Sequence, residues 1–200
     1  MARVVQLTDT HIYADAAARF DGLDTRASLT AVLAHLAAAP RPDLVVLSGD
    51  LSMDGSRASY AWLDAALATL PAAFVAVPGN HDEPANWARL DGNGFHATPA
   101  VVRCGRWRLL LLDSRIAGVA HGALGRGQLA WLERTLAAAT PGVRDVVFVH
   151  HPPLAVDSAW IDTMGLRDAD AFWQALPPRA RPVACVAGHV HQTFDRLHDG

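Results

Sequence analysis

Five short donor-bearing segments punctuate this chain: Asp9-Thr10-His11, Gly49-Asp50, Gly79-Asn80-His81-Asp82, His150-His151-Pro152-Pro153 and Gly188-His189-Val190-His191. Four of them directly follow an apolar run, and the third follows one after Pro78. A short apolar run bounded by turn residues reads as a buried strand. This pattern restricts the fold severely. Residues far apart in sequence sit at strand ends, so the strands must finish on one edge for the donors to meet.

Helices separate those strands. Val4–Leu7, Asp43–Leu47, Phe74–Val77, Trp107–Leu112, Val146–Val149 and Val183–Ala187 read as strands. Thr25–Ala38 reads as a helix with Leu29, Val32, Leu33 and Leu36 on one face, and Asp24 or Thr25 is placed to cap it. Ser56–Leu70, stopped by Pro71, and Gly127–Ala139 are two more. Strands alternating with amphipathic helices predict an α/β fold. Continuous apolar strands predict sheets covered on both faces, and open α/β sheets place their sites at the carboxyl ends of strands. With no repeat or linker in its 200 residues, the chain is expected to be one domain, 1–200.

The donor set is mixed: carboxylates of Asp9 and Asp50, the amide of Asn80, and several imidazoles. Oxygen and nitrogen together suit Mn, Fe, Co or Zn better than an all-oxygen calcium site. No cysteine belongs to the set, which excludes a structural thiolate zinc site. Cys104 and Cys185 lack metal spacing and are expected to be buried free thiols. Each segment alone has an ordinary explanation, such as a turn or a cap. All five together, in order and each behind a strand, do not. From the residues alone, either His150 or His151 is available as a donor.

Charge and hydropathy narrow the partners. The net charge of -3 gives no pull toward nucleic acid polymers. No apolar run approaches the ~20 residues of a membrane span, and Met-Ala-Arg leads straight into a strand. A cytoplasmic protein without membrane attachment is the expectation.

At these motifs the chain resembles the calcineurin-like metallophosphoesterases, whose pattern is D-x-H, G-D, G-N-H-[DE], H-x-P and G-H-x-H. The resemblance spans essentially the whole chain. Leu111-Leu112-Asp113-Ser114, Gly118-Val119-Ala120-His121-Gly122, Gln128-Leu129-Ala130-Trp131-Leu132 and Ser158-Ala159-Trp160-Ile161-Asp162 are similar to the bacterial class III cyclic nucleotide phosphodiesterases, the cyclic AMP type in particular. The resemblance implies a four-layer α-β-β-α sandwich of two mixed sheets flanked by helices. It implies two divalent ions, one on Asp9, His11 and His191 and the other on Asn80, His150 and His189, with Asp50 bridging. By the same resemblance His150 is preferred over His151, and His81 is the acid that protonates the leaving group. Asp54 is placed to orient His81. Asn80, His81 and His121 are the expected substrate contacts.

The implied reaction is attack of a hydroxide shared by two ions on a small phosphodiester such as cyclic AMP. A glycerophosphodiester or general phosphodiesterase is the alternative, and a non-catalytic scaffold of the same fold is a third reading. The chain ends at Gly200, nine residues past His191. The resemblance implies further strands of the second sheet, with His191–Arg196 beginning one and Asp199-Gly200 turning toward its absent partner. An edge left open in this way predicts a homo-oligomer.

Overall fold

The computed structural model describes residues 2–87, 94, 97–138, 142–177 and 183–198. Two sheets are present. The first is parallel throughout, in the order β1 (Val4–Leu7), β2 (Leu44–Ser48), β3 (Phe74–Val77). The second is mixed: β4 (Ala100–Cys104) runs antiparallel to β5 (Trp107–Leu111), and β6 (Arg144–Phe148) and β7 (Ala184–Val186) continue parallel to β5. The fold is the expected pair of sheets flanked by helices, with mixed pairing confined to the second sheet.

Strand alternation builds the layers. Successive side chains point to opposite faces. Leu44 and Val46 of β2 therefore pack with Val75, Val77, Leu109, Leu111, Val146 and Phe148 in a core between the sheets. Val45 and Leu47 point the other way, onto Leu29 and Leu33 of α1 (Thr25–Ala38) and Leu63 and Leu67 of α2 (Arg57–Leu67). Leu110 and Val147 likewise meet Leu132 and Leu136 of a later helix, Gly125–Ala137, and Phe172 of another, Ala169–Gln174. The order is helix, sheet, sheet, helix. A four-residue helical turn, Pro84–Trp87, follows β3.

Local signals set the boundaries. The Asp24 carboxylate accepts the Ala27 N–H and starts α1. Ser56 caps α2 through Ser59 N–H, so it sits before the helix and not in it. Val32 is 39% exposed, on the margin of the expected apolar face. Gly125–Ala137 begins two residues earlier than expected, and Ala139 lies outside the described residues.

The segment His191–Arg196 does not form the expected strand. Among the described residues its backbone has no neighbouring ladder. It is held instead by side chains: Arg196 Nη2 lies 2.5 Å from Asp157 Oδ2, and the His198 ring packs 4.1 Å from that of Trp173. Asp199 and Gly200 lie outside the described residues. Cys104 is buried between the sheets, whereas Cys185 is only half-buried on the edge strand. No described helix is long and apolar enough to cross a membrane.

Candidate metal centre

Because β1, β2 and β3 are parallel, Asp9, Asp50 and Asn80 emerge together past their carboxyl ends. The ends of β6 and β7 bring His150 and His189 to the same place. Backbone hydrogen bonds lock the loops together: Asp9 N–H to Gly49 O, His11 N–H to Asp50 O and Gly188 N–H to His150 O, at 3.0, 3.0 and 3.1 Å. Close approach requires glycine here. At Gly49 the φ is 99°, and a Cβ would strike His150 Nδ1; at Gly79 it would strike Asp50 Oδ1.

The backbone is strained where the donors sit. Seven non-glycine residues have positive φ among those described, and five are Asp9, His11, Asp50, His189 and His191, at 52°, 43°, 50°, 72° and 50°. This conformation costs side-chain-bearing residues on the order of 1 kcal/mol or more apiece. It persists because the surrounding hydrogen bonds over-determine it, and it turns the donors inward.

Four overlapping sets of three donors result: Asp9 with His11 and His191, Asp9 with Asp50 and His150, His11 with Asp50 and His81, and His150 with His151 and His189. Asp9, His11 and His191 place one ligand atom each within 4.8 Å of one another. His11 Nε2 faces His191 Nε2 at 2.9 Å, and His191 Nε2 lies 3.3 Å from Asp9 Oδ1. The His189 N–H donates to both Asp9 oxygens, at 3.0 and 3.1 Å, which fixes the carboxylate. In the second group His150 Nε2 lies 3.2 Å from Asp50 Oδ2. Asp50 belongs to two of the sets, with Oδ2 also 3.9 Å from His11 Nε2. His150 Nε2, His189 Nε2, Asn80 Oδ1 and His11 Nδ1 are buried without a hydrogen-bond partner. Orphaned polar atoms of this kind are rare in a folded protein and want a ligand.

The two adjacent histidines differ in their partners. His150 donates Nδ1–H to the Ser48 carbonyl at 2.9 Å, so Nε2, which faces Asp50, is the nitrogen left for a cation. His151 has both nitrogens engaged, Nδ1 with Ser114 Oγ at 2.7 Å and Nε2 with the Ala120 carbonyl at 3.1 Å. His151 therefore has no free nitrogen, although it stands beside His150 and His189.

Electrostatics favour a cation. Burial works against the Asp50 charge, yet His150 and the His81 N–H hold its carboxyl far below the usual range. Asp9 is lowered too, its burial outweighed by His191, His150 and Thr8. Burial, reinforced by neighbouring imidazoles, pushes His11 and His189 down to about 4 and His151 to about 2. For His150 burial is overcome by Asp50, which lifts it to about 9. At neutral pH the site thus holds two ionised carboxylates with neutral imidazoles at His11 and His189. The proton on His150 occupies the place a cation would compete for.

The remaining predicted residues fall as follows. His81 is half-buried; its N–H donates to Asp50 Oδ1 at 2.9 Å, and its ring meets His11 edge-on at 5.1 Å. Among the described residues no hydrogen bond joins Asp54 to His81. The Asp54 oxygens accept from Ala14 N–H, Ser56 N–H and Ser52 Oγ at 2.7, 3.0 and 3.3 Å, which ties down the loop before α2. His121 is half-buried beside Ala120, and no polar contact joins it to the donors among the described residues.

Sequence reasoning missed Asp82, the fourth letter of Gly-Asn-His-Asp. It is fully buried and accepts from Leu51, Ser52 and Gly79 N–H and from Tyr60 Oη–H, at 3.2, 3.1, 2.9 and 2.8 Å. One carboxylate thereby joins the Asp50 and Asn80 loops. The signal available was its place in the motif.

Comparison with known proteins agrees with this geometry. The calcineurin-like phosphoesterase family profile matches residues 2–193. A Vibrio vulnificus protein named 3′,5′-cyclic adenosine monophosphate phosphodiesterase CpdA is 37% identical, over 99% of this chain and 73% of its own length. The Escherichia coli protein of that name is 38% identical, over 96% and 70%. Among solved structures, a purple acid phosphatase from yellow lupin shares the fold, with a TM-score of 0.60 and 17% identity over 95% of this chain and 38% of that one. With a profile match over nearly all of its residues, and relatives of this identity, the chain belongs to the calcineurin-like phosphoesterase family.

Proposed function

We propose that this chain is a metal-dependent phosphodiesterase that opens 3′,5′-cyclic nucleotides, converting cyclic AMP to 5′-AMP. The observation that carries the reading is the meeting of two donor groups at Asp50, with His150 Nε2, His189 Nε2 and Asn80 Oδ1 buried and unpartnered around it. The relatives named for cyclic AMP hydrolysis support the substrate. We assign Asp9, His11 and His191 to one ion, Asn80, His150 and His189 to a second, and Asp50 to both. The donor chemistry suits Mn, Fe, Co or Zn. Bound there, such ions lower the pKa of a water toward neutrality and offset charge on the phosphate oxygens.

The chain's own residues do the rest. Asp50 orders the His81 loop by accepting its N–H. His81 is assigned to protonate the departing 3′-oxygen, a step that matters most for a poor leaving group. Asn80 is assigned to meet the phosphate, and His121 the remainder of the substrate. The same reading takes residues 1–200 as one domain. It places the chain in the cytoplasm, where free thiols such as Cys104 and Cys185 persist. It also takes the chain to form a homo-oligomer through an exposed sheet edge.

The test is turnover by chelator-stripped protein after Mn²⁺ is added back, with cyclic AMP and with bis(p-nitrophenyl) phosphate. Hydrolysis of both is expected. Hydrolysis of the activated ester alone would remove the cyclic nucleotide assignment, and inertness toward both would remove the enzyme.

A further inference from the structure

Arg115 lies just past β5 and takes no part in the donor groups. Its guanidinium grips Asp113 through Nε and Nη2, with Nη2 2.7 Å from Oδ2. Asp113 is itself clamped by Gln128, which accepts the Asp113 N–H at 2.9 Å and donates to its carbonyl at 2.5 Å. The pair is thus rooted in the second sheet and its covering helix. From there Arg115 Nη1 crosses to the first sheet's loop and donates to the Asp82 carbonyl at 3.2 Å. Its guanidinium carbon lies 5.6 Å from the centre of the Trp87 ring. Only 13% of the side chain is exposed, so the fork is held in place and not free in solvent.

The Asp82 carbonyl is one residue beyond His81. The carboxylates of Asp50 and Asp82 fasten that loop to the first sheet, while His150 and His189 stand on the second. We propose that Arg115 is a positioning residue for His81, holding its loop in register with the second sheet; the inference rests on the leaving-group role assigned to His81. A planar fork that bridges a carboxylate and a carbonyl has no lysine equivalent. Misplacing an acid by about 1 Å costs up to ~100-fold in rate, and least where the leaving group needs no proton.

Arg115→Met and Arg115→Lys test this. Hydrogen–deuterium exchange is measured on chelated protein, in peptides covering 79–87 and 146–153. Kinetics on cyclic AMP and on bis(p-nitrophenyl) phosphate are measured with Mn²⁺. About tenfold faster exchange confined to 79–87 is expected in Arg115→Met. Its kcat ratio of cyclic AMP to the activated ester should fall about tenfold, with Lys restoring less than half of the loss. Unchanged exchange, an equal fall on both esters, or full rescue by Lys would overturn the proposal. Wild-type inertness toward both esters would instead defeat the assigned function, and the exchange data would then decide the tether alone.

Discussion

Replacing His150 and His151 separately by alanine should give different metal contents, although the two are neighbours and both fully buried. Loss of His151 takes the ring from Ser114 Oγ, which keeps the residue-151 N–H at 3.3 Å, and leaves the Ala120 carbonyl without its imidazole partner. The unpaired carbonyl costs about 1–3 kcal/mol, and the cavity left by a buried ring adds about 2 kcal/mol. The sum is about 3–5 kcal/mol. For a chain of this length 1 kcal/mol lowers Tm by about 2–4 °C, so a fall of roughly 6–20 °C is expected. No donor is lost, so two ions per chain should remain. Loss of His150 leaves a cavity of the same kind, takes a donor from the Ser48 carbonyl and strips the buried Asp50 charge of its partner, and it also removes a nitrogen that faces Asp50. That variant should unfold at least as early and retain fewer than two ions. The assays are thermal unfolding of chelated protein and metal analysis after reloading with Mn²⁺. If His151→Ala loses an ion while His150→Ala keeps both, the reading of the two rings is wrong.

Three further outcomes follow from the same geometry. Asp50→Asn keeps an oxygen for the His81 N–H but loses the charge between the groups, so metal analysis should find fewer than two ions per chain; two retained ions would count against the bridge. His81→Ala should keep both ions and lose about 100-fold or more of its cyclic AMP turnover, consistent with general acid catalysis; normal turnover of that poor leaving group would exclude the acid. Acid should destabilise the chelated protein through His151. Its folded value of about 2 lies below the ordinary 6.5, so its stabilisation is present above pH 6.5 and is lost as pH falls, by up to ~1.4 kcal/mol per unit. His11 and His189 act in the same direction, and His150 in the opposite one, its contribution fading as pH rises from 6.5 toward 9. Denaturant unfolding at pH 7 and 5.5 should show a shallower loss for His151→Ala than for wild type; an equal loss would mean that this ring titrates freely.

Much of the fold was legible because the core strands are largely apolar and, β5 apart, lead into a donor. β2, with every residue buried, shows this most clearly. β4 escaped notice for the converse reason. It is an edge strand whose residues alternate between shielded and exposed, and no donor stands behind it. The helical turns Pro84–Trp87 and Ile161–Met164 are too short to show a period. At the site, motif spacing named the donors but said nothing of their partners. His150 and His151 are identical in type and adjacent, and only Ser48, Ser114 and Ala120 distinguish them. Asp54 was linked to His81 by its four-residue separation from Asp50, whereas the hydrogen bonds it makes run to Ala14, Ser52 and Ser56. Arg115 reaches a backbone group of a distant segment, which leaves no trace in sequence spacing, and Asp82 showed only as the last letter of its motif.

Two ions gathered around Asp50 are proposed to make this chain a cyclic nucleotide phosphodiesterase. Titrating Mn²⁺ into chelator-stripped protein while following 5′-AMP release from cyclic AMP tests this most directly. Activity should rise to a plateau at two ions per chain. A plateau at one ion, or no 5′-AMP at any loading, would contradict it.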